Sequence, residues 1–315
     1  MESAVELWER PQAEDMVMIA GWRQWADAGS VSSGLPQYLI QRSQARRIGA
    51  INPQGFYLFQ IPGTHDLVRP IVRFEDGYPL ALETPRNELF FTGDEARGVV
   101  ILLGDEPQLD IERYAAAFLD VAQMLKVRRI VGLGGVYGEL PYNRSRLISC
   151  IYSLPRLKET LSRLAVQFSD YQGGASIESY LCRRAGERGQ EFVGFYAFVP
   201  TYDFAQFPQI TNTIRLENDF TAWYDVMRRV NYLLKTHFDL NDLRRKSTQL
   251  TQTVDAKIRE LDSAAPQLNV REYFERLADE FTEMPFEPPL DDVWEQELRR
   301  LLDEPPDEED SQSGL

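Results

Sequence analysis

Gly98-Val99-Val100-Ile101-Leu102-Leu103-Gly104 sets five consecutive apolar residues between two glycines. The run is too short for a stable helix and rich in strand-forming side chains, so it reads as a strand buried on both faces. Ile111, Tyr114, Ala115, Phe118, Ala122 and Leu125 then recur at the spacing of an amphipathic helix, and Arg129-Ile130-Val131-Gly132-Leu133 is a second buried strand. Strand, helix and strand in this order form a β-α-β unit, which predicts a parallel sheet joined by a right-handed crossover.

The same pattern extends in both directions. Upstream, Met16-Val17-Met18-Ile19-Ala20, closed by Gly21, is another buried strand, and Val31, Leu35, Tyr38 and Leu39 mark a helix that Asp27 is placed to cap and Pro36 to kink or restart. Between residues 46 and 93 the chain breaks into short β-type pieces, Phe56–Phe59, Ile71–Phe74 and Leu89–Phe91, separated by Pro and Gly and expected as hairpins or edge strands. Downstream come a strand at Leu147–Tyr152, a helix from Pro155 to Leu164, a helix from about Ser176 to Arg188, and a strand at Phe192–Val199. Beyond residue 216 the text is helical, with apolar stripes through Phe220, Trp223, Met227, Val230 and Leu234, through Leu243, Leu250, Val254 and Leu261, through Val270, Tyr273, Phe274, Leu277 and Phe281, and through Leu290, Trp294, Leu298 and Leu301. Pro266, Pro285, Pro288 and Pro289 punctuate these helices. The division this implies is an α/β core over residues 1–215, a helical arm or bundle over 216–302 and a disordered acidic tail over 303–315.

Composition narrows the functional classes. With 43% hydrophobic and 26% charged residues in a chain of 315, the protein is globular and large enough for a substantial core. The net charge is −15, and removing the six acids of residues 303–310 leaves −9 on residues 1–300, a surface that repels phosphate backbones and argues against nucleic acid as a partner. The densest basic run, Arg244-Arg245-Lys246, fits a solvated helix face. Two cysteines 32 positions apart, Cys150 and Cys182, fit neither a disulfide framework nor a zinc site. The first residues lack a secretory pattern and no apolar run spans a bilayer, so the cytoplasm is the expected location, with no membrane partner.

Catalytic signatures are missing. No P-loop, HExxH or G-x-S-x-G occurs, and with two histidines, His65 and His237, there is little material for a triad or a metal site; no catalytic residue, metal or cofactor is expected. Two junctions that follow strands carry the polar residues of interest. Gly21-Trp22-Arg23-Gln24-Trp25-Ala26-Asp27-Ala28-Gly29 is either an anion-cradling loop or a turn in which Asp27 itself occupies the free amides. Gly132-Leu133-Gly134-Gly135-Val136-Tyr137-Gly138 has a dinucleotide-like glycine spacing, but Tyr137 stands where the last glycine belongs. Tyr137, Glu139, Asn143 and Arg144 follow closely enough to organise a tight turn, line a ligand or meet another subunit.

Taken in order, Gly-Trp-x-x-x-x-Asp-Ala-Gly at 21–29, Gly-x-Tyr-Gly-Glu-Leu-Pro-x-x-Arg at 135–144, Tyr-x-Gly at 171–173 and Val-Pro-x-Tyr at 199–202 give a chain that resembles the proteasome assembly chaperone family, particularly its bacterial and archaeal members. The resemblance implies a three-layer α/β sandwich similar to the nucleoside phosphorylase-like fold with a C-terminal helical segment. It also implies a non-enzymatic assembly or scaffolding role, self-association with a trimer as the expected state, and a protein client. Asp27, Gly29, Tyr137, Glu139, Asn143, Arg144 and Tyr202 are the positions it nominates for a ligand or an interface. The alternative is a small-molecule, nucleoside- or nucleotide-like, binding protein or enzyme on the same fold. Two positions depart from the family: Thr201 replaces its usual histidine after Val-Pro, and the ending Ser-Gly-Leu differs from the hydrophobic-Tyr-any tail of members that dock on the proteasome.

Overall fold

The computed structural model describes residues 4–23, 25–60, 69–202, 214–264, 266 and 269–287. His65, Pro288, Pro289, the Leu290–Leu301 stripe and the acidic tail lie outside them. Among the described residues a ten-stranded sheet is centred on four parallel strands, in the spatial order β7 (Arg97–Asp105), β2 (Asp15–Arg23), β8 (Arg129–Gly138) and β11 (Glu191–Tyr202). Beyond β7 follow the antiparallel strands β6 (Asn87–Gly93), β3 (Arg46–Ile51) and β1 (Val5–Leu7); beyond β11 follow β9 (Ile148–Tyr152), antiparallel to it, and β10 (Gln167–Phe168). A short β12 (Ile214–Arg215) pairs with the end of β11.

Side-chain alternation along β2 separates two cores. Val17 and Ile19 point into one; Met16, Met18, Ala20 and Trp22 point into the other. The second core is closed by α2 (Ile111–Met124) and α4 (Ile177–Glu187), the first by α1 (Gly34–Arg42), α3 (Lys158–Ser162) and α5 (Phe220–Leu234), giving a three-layer α/β/α sandwich. Cys150 and Cys182 are both buried, one in each core. The unit of two strands and a helix at residues 98–133 is present as β7, α2 and β8, but β2 lies between the two strands. A strand buried along its whole length needs a neighbour on both sides, and only the centre of the sheet supplies that.

The C-terminal stripes of the described residues pack within the chain. Trp223, Met227, Val230 and Leu234 of α5, Leu243, Val254 and Ile258 of α6 (Asn241–Ala264), and Val270 and Phe274 of α7 (Val270–Glu280) join the core that contains Val17 and Ile19. Each such side chain contributes about 1.5–3 kcal/mol on burial, which holds helices that are short and proline-punctuated. No described helix is long and apolar enough to cross a membrane.

Three local expectations change. Pro36 is the third residue of α1, in the first turn, where its missing N–H costs nothing, so it neither kinks nor restarts the helix. Phe56–Phe59 forms no strand: a turn closed by Phe56 N–H on Pro53 O buries Phe56 edge-on against Tyr114, and the chain crosses the end of the sheet. Residues 132–138, read as a junction that follows a strand, continue strand β8 itself to Gly138, and the strand expected at Leu147–Tyr152 follows as β9.

The arm is fastened to the sheet by a buried ion pair. Arg146, 1% exposed, places Nε 2.7 Å from Asp219 Oδ2, and Asp219 is 0% exposed. The guanidinium also donates to the carbonyls of Tyr142 at 3.1 Å and Arg144 at 2.6 Å, while the Arg146 amide donates to Asp225 Oδ2 at 2.7 Å. Asp219 caps α5 by accepting from the amides of Thr221 and Ala222, and its own amide donates to Gly29 O. Replacing Asp219 with Ala strands a buried guanidinium, and urea unfolding should show a loss of about 3–5 kcal/mol. Removing the exposed Arg163–Glu159 pair by Arg163→Ala should change stability by about 0.5 kcal/mol or less.

Candidate functional site

The residues nominated by the sequence gather around this fastening rather than around a cavity. Asp27 turns its carboxylate inward: Oδ1 accepts from the amides of Ser32 and Ser33, each at 2.9 Å, and Oδ2 from the Ser33 hydroxyl at 2.6 Å. Burial raises its pKa against the opposing pull of those donors. Gly29 has φ +60, and its carbonyl accepts from Trp223 Nε1 at 2.9 Å. A Cβ there would stand 2.8 Å from Asp219 Cβ, so glycine is required on two grounds. Tyr202 is buried, donates its hydroxyl to Leu140 O at 2.5 Å and meets the Phe274 ring edge-on at 4.6 Å. Glu139 accepts from the Tyr273 hydroxyl of α7, and the Arg215 guanidinium lies 4.3 Å over the Tyr137 ring. Asn143 and Arg144 are exposed. Asn143 alone of these lines the roughly 310 Å³ groove between its loop and the helices α6 and α7.

The glycines of β8 serve a different residue. Gly132 of β8 lies directly beside Gly194 of β11, and Gly134 beside Tyr196. Over them sits the Glu178 side chain of α4, 2% exposed, with Oε1 lacking a hydrogen-bond partner. A Cβ at Gly132 would stand 2.6 Å from the Glu178 carboxylate, one at Gly194 2.5 Å, and one at Gly134 2.9 Å. The glycine run therefore clears space for a buried carboxyl and does not cradle a phosphate. Burial drives the Glu178 pKa well above the ordinary carboxylate range, with Tyr196 pulling the other way by hydrogen bonding. Nearby, Glu106 accepts from the amides of Ile177 at 2.7 Å and Trp25 at 3.2 Å, and burial raises its pKa too.

A third feature stands off the body. Among the described residues β4 (Ile71–Glu75) and β5 (Tyr78–Glu83) pair only with each other, across a two-residue turn in which Asp76 and Gly77 both have positive φ. Ile71, Val72, Phe74, Tyr78, Leu80 and Leu82 are 43–70% exposed. Val72 and Leu82 face each other on the side opposite the Arg73–Glu83 ion pair. Sequence reading found β4 but missed β5, because Pro79 and the acidic turn hide its alternation. It also missed Arg146, Asp219 and Glu178. An Asn-Asp pair before the strong stripe at Phe220 was the available signal for Asp219; for Glu178 it was glycine at every second position of a strand.

The Glu178 pocket makes two expectations measurable. An acid whose folded pKa lies above its unfolded one adds no penalty below the unfolded value and destabilises increasingly as pH rises past it. Glu178→Gln should therefore match the wild type near pH 4 and exceed it in denaturation midpoint by a growing margin toward pH 8. Separately, Gly194→Ala should destabilise the wild type more than it destabilises a Glu178→Ala background, a coupling that a double-mutant cycle of urea unfolding reads directly.

Solved structures share this architecture. A Mycobacterium tuberculosis proteasome-assembly chaperone homologue is 23% identical, with a TM-score of 0.66 over 76% of this chain and 94% of its own. A PAC2 family protein of Streptomyces avermitilis is 23% identical, with a TM-score of 0.65 over 77% and 95%. PbaB of Pyrococcus furiosus, an archaeal proteasome activator, is 20% identical, with a TM-score of 0.57 over 81% and 98%. At these identities the likeness establishes the fold. No curated protein matches the chain. The PAC2 family model matches residues 22–258, from the end of β2 through most of α6, and the chain belongs to the PAC2 family.

Proposed function

We propose that this protein is an assembly-chaperone-like or scaffolding protein that acts by protein contact without turnover, and that it works as a homo-oligomer in which a second copy covers the β4–β5 hairpin. The observation that carries the reading is the hairpin itself: six large apolar side chains, 43–70% exposed, on strands that pair with nothing else described. Side chains of this size expose roughly 100 Å² each at such fractions. Together they offer on the order of 600 Å², most of the roughly 800 Å² per partner that a stable interface covers. An apolar hairpin with open edges invites aggregation if left bare, and the partner present whenever the chain is present is the chain itself.

Membership in the PAC2 family supports the chaperone-like part of the reading, and the names of its structural neighbours, a proteasome-assembly chaperone homologue and a proteasome activator, favour subunits of a protein complex as clients. The enzymatic alternative placed Tyr137, Glu139, Asn143 and Arg144 around one ligand, whereas Asn143 lines the groove beside α6 and α7 and Glu139 is engaged by Tyr273.

Light scattering of the full chain at micromolar concentration should give a closed oligomer, and Phe74→Ser with Leu80→Ser should reduce it to a folded monomer. A wild-type chain that is monomeric throughout that range would remove self-assembly from the reading.

A further inference from the structure

The sheet carries a second feature beside the base of the hairpin. After β2 the chain leaves toward α1 on one face of the sheet, and after its parallel neighbour β7 it leaves toward α2 on the other. Adjacent parallel strands whose connections part in this way open a crevice at their carboxyl ends, the place where open α/β sheets bind ligands. Here that position carries a cavity of about 660 Å³, within the ordinary range for small-molecule sites. Its walls come from the ends of β2 and β7, from β3 and β6, and from the base of the hairpin at Ile71 and Leu82.

Four arginines line the cavity, Arg23, Arg47, Arg69 and Arg86, in a protein of net charge −15. Of the three acids beside them, Glu83 is engaged by Arg73 at 3.0 Å. The other two lie beneath the guanidiniums. Glu88, 14% exposed, is shared by Arg47 at 3.1 Å and Arg86 at 3.3 Å, and those arginines are 46% and 50% exposed. Asp105, 10% exposed, holds Arg23 at 2.8 Å, and Arg23 is 43% exposed. Arg69 has a neutral acceptor, Gln60 Oε1 at 2.5 Å. The carboxylates thus fix the orientation of the arginines from below while the positive charge faces the cavity. Each guanidinium carries five N–H donors in a planar fork, more than these contacts consume.

The floor is rigid. Trp22 Nε1 donates to Tyr114 OH at 2.7 Å, Tyr114 donates to Asn87 Oδ1 at 3.0 Å, Asn87 Nδ2 donates to Tyr57 OH at 2.7 Å, and Tyr57 donates to Asp105 O at 2.7 Å. A fully satisfied buried network of this kind holds its members in one arrangement. The cavity mouth is therefore formed before any ligand arrives.

We propose that this cavity binds a small phosphomonoester, its phosphate held by Arg47 and Arg86 and its ring or apolar portion laid against Ile71 and Leu82. The cavity exceeds what inorganic phosphate alone fills, and apolar residues line it both at the hairpin base, Ile71 and Leu82, and at the end of β3, Ala50 and Ile51. The site adjoins the hairpin at its base, where Ile71 and Leu82 belong both to its lining and to the exposed apolar set, while Phe74 and Leu80, the positions changed in the assembly test, take no part in lining it.

Isothermal titration of the full chain at about 0.15 M salt, with AMP, inorganic phosphate, citrate and adenosine as probes, tests the assignment. AMP should bind saturably at one per chain and phosphate at least tenfold more weakly, with no heat from adenosine. Arg47→Gln with Arg86→Gln should weaken AMP at least tenfold, measured below the melting temperature of the variant, which loses both partners of Glu88. Arg69→Glu, which leaves the sheet untouched, should weaken it as well and keeps the test valid if the double variant fails to fold. Absence of saturable AMP binding, or AMP affinity unchanged in a folded arginine variant, would overturn the proposal. So would equal binding of adenosine, or of citrate.

Discussion

The buried pair of Arg146 and Asp219 is the contact on which the arrangement of this molecule turns. Two fully desolvated charges are tolerable only when geometry and supplementary hydrogen bonds compensate for lost hydration, and here they do. The guanidinium faces one carboxylate and three carbonyls of its own loop; the carboxylate faces one guanidinium and two amides at the start of α5. Three pieces of chain distant in sequence meet at this point: the turn at Gly29, the loop after β8 and the first turn of the C-terminal segment. The helical segment is consequently an integral cover of one face of the sheet, with α5 against the strands and α6 and α7 outside it.

The second face is organised around a different polar burial. Glu178 sits over a pair of facing glycines with one oxygen unpaired, an arrangement that is expensive and that a leucine would make cheaper. Arg229 on the opposite side is buried as well, yet it donates to the carbonyls of Leu164, Ala165 and Asp225, and its pKa is lowered to about 10 by burial. The contrast separates a structural arginine that closes the end of α3 from a carboxyl kept in an apolar site without full satisfaction. Beyond the strand ends, the outward-facing arginines and the bare hairpin are features that the packing of a single chain does not require.

Much of the architecture was legible in the sequence because burial on both faces writes a continuous apolar run, and one-sided burial writes a helical stripe. Val99–Leu103, Met16–Ala20, Ile130–Leu133 and the stripes of α2, α5 and α7 are of this kind. β1 and β5 were not legible, being an edge strand and an exposed one whose side chains are not selected by a core, and β3 was missed because only Ile48 and Ile51 of its short, arginine-led stretch have buried side chains. The candidate residues are largely held by packing and by contacts with the C-terminal helices. Tyr202 and Gly29 are packing positions under α7 and α5, and the glycines of β8 answer to a glutamate 44 residues away from Gly134, on another element.

The class of fold, the family and the order of the elements follow from local pattern and from motifs that survive as strings of residues. Which charges face each other and which surfaces stay bare follow from the folded arrangement alone. Arg146 and Asp219 are 73 residues apart, Arg47 and Arg86 meet over Glu88 only because β3 pairs with β6, and the hairpin is exposed only because nothing else in the described chain reaches it. Pairing across a sheet and burial by distant segments are properties of the whole arrangement of the chain, and no local stretch of residues encodes them.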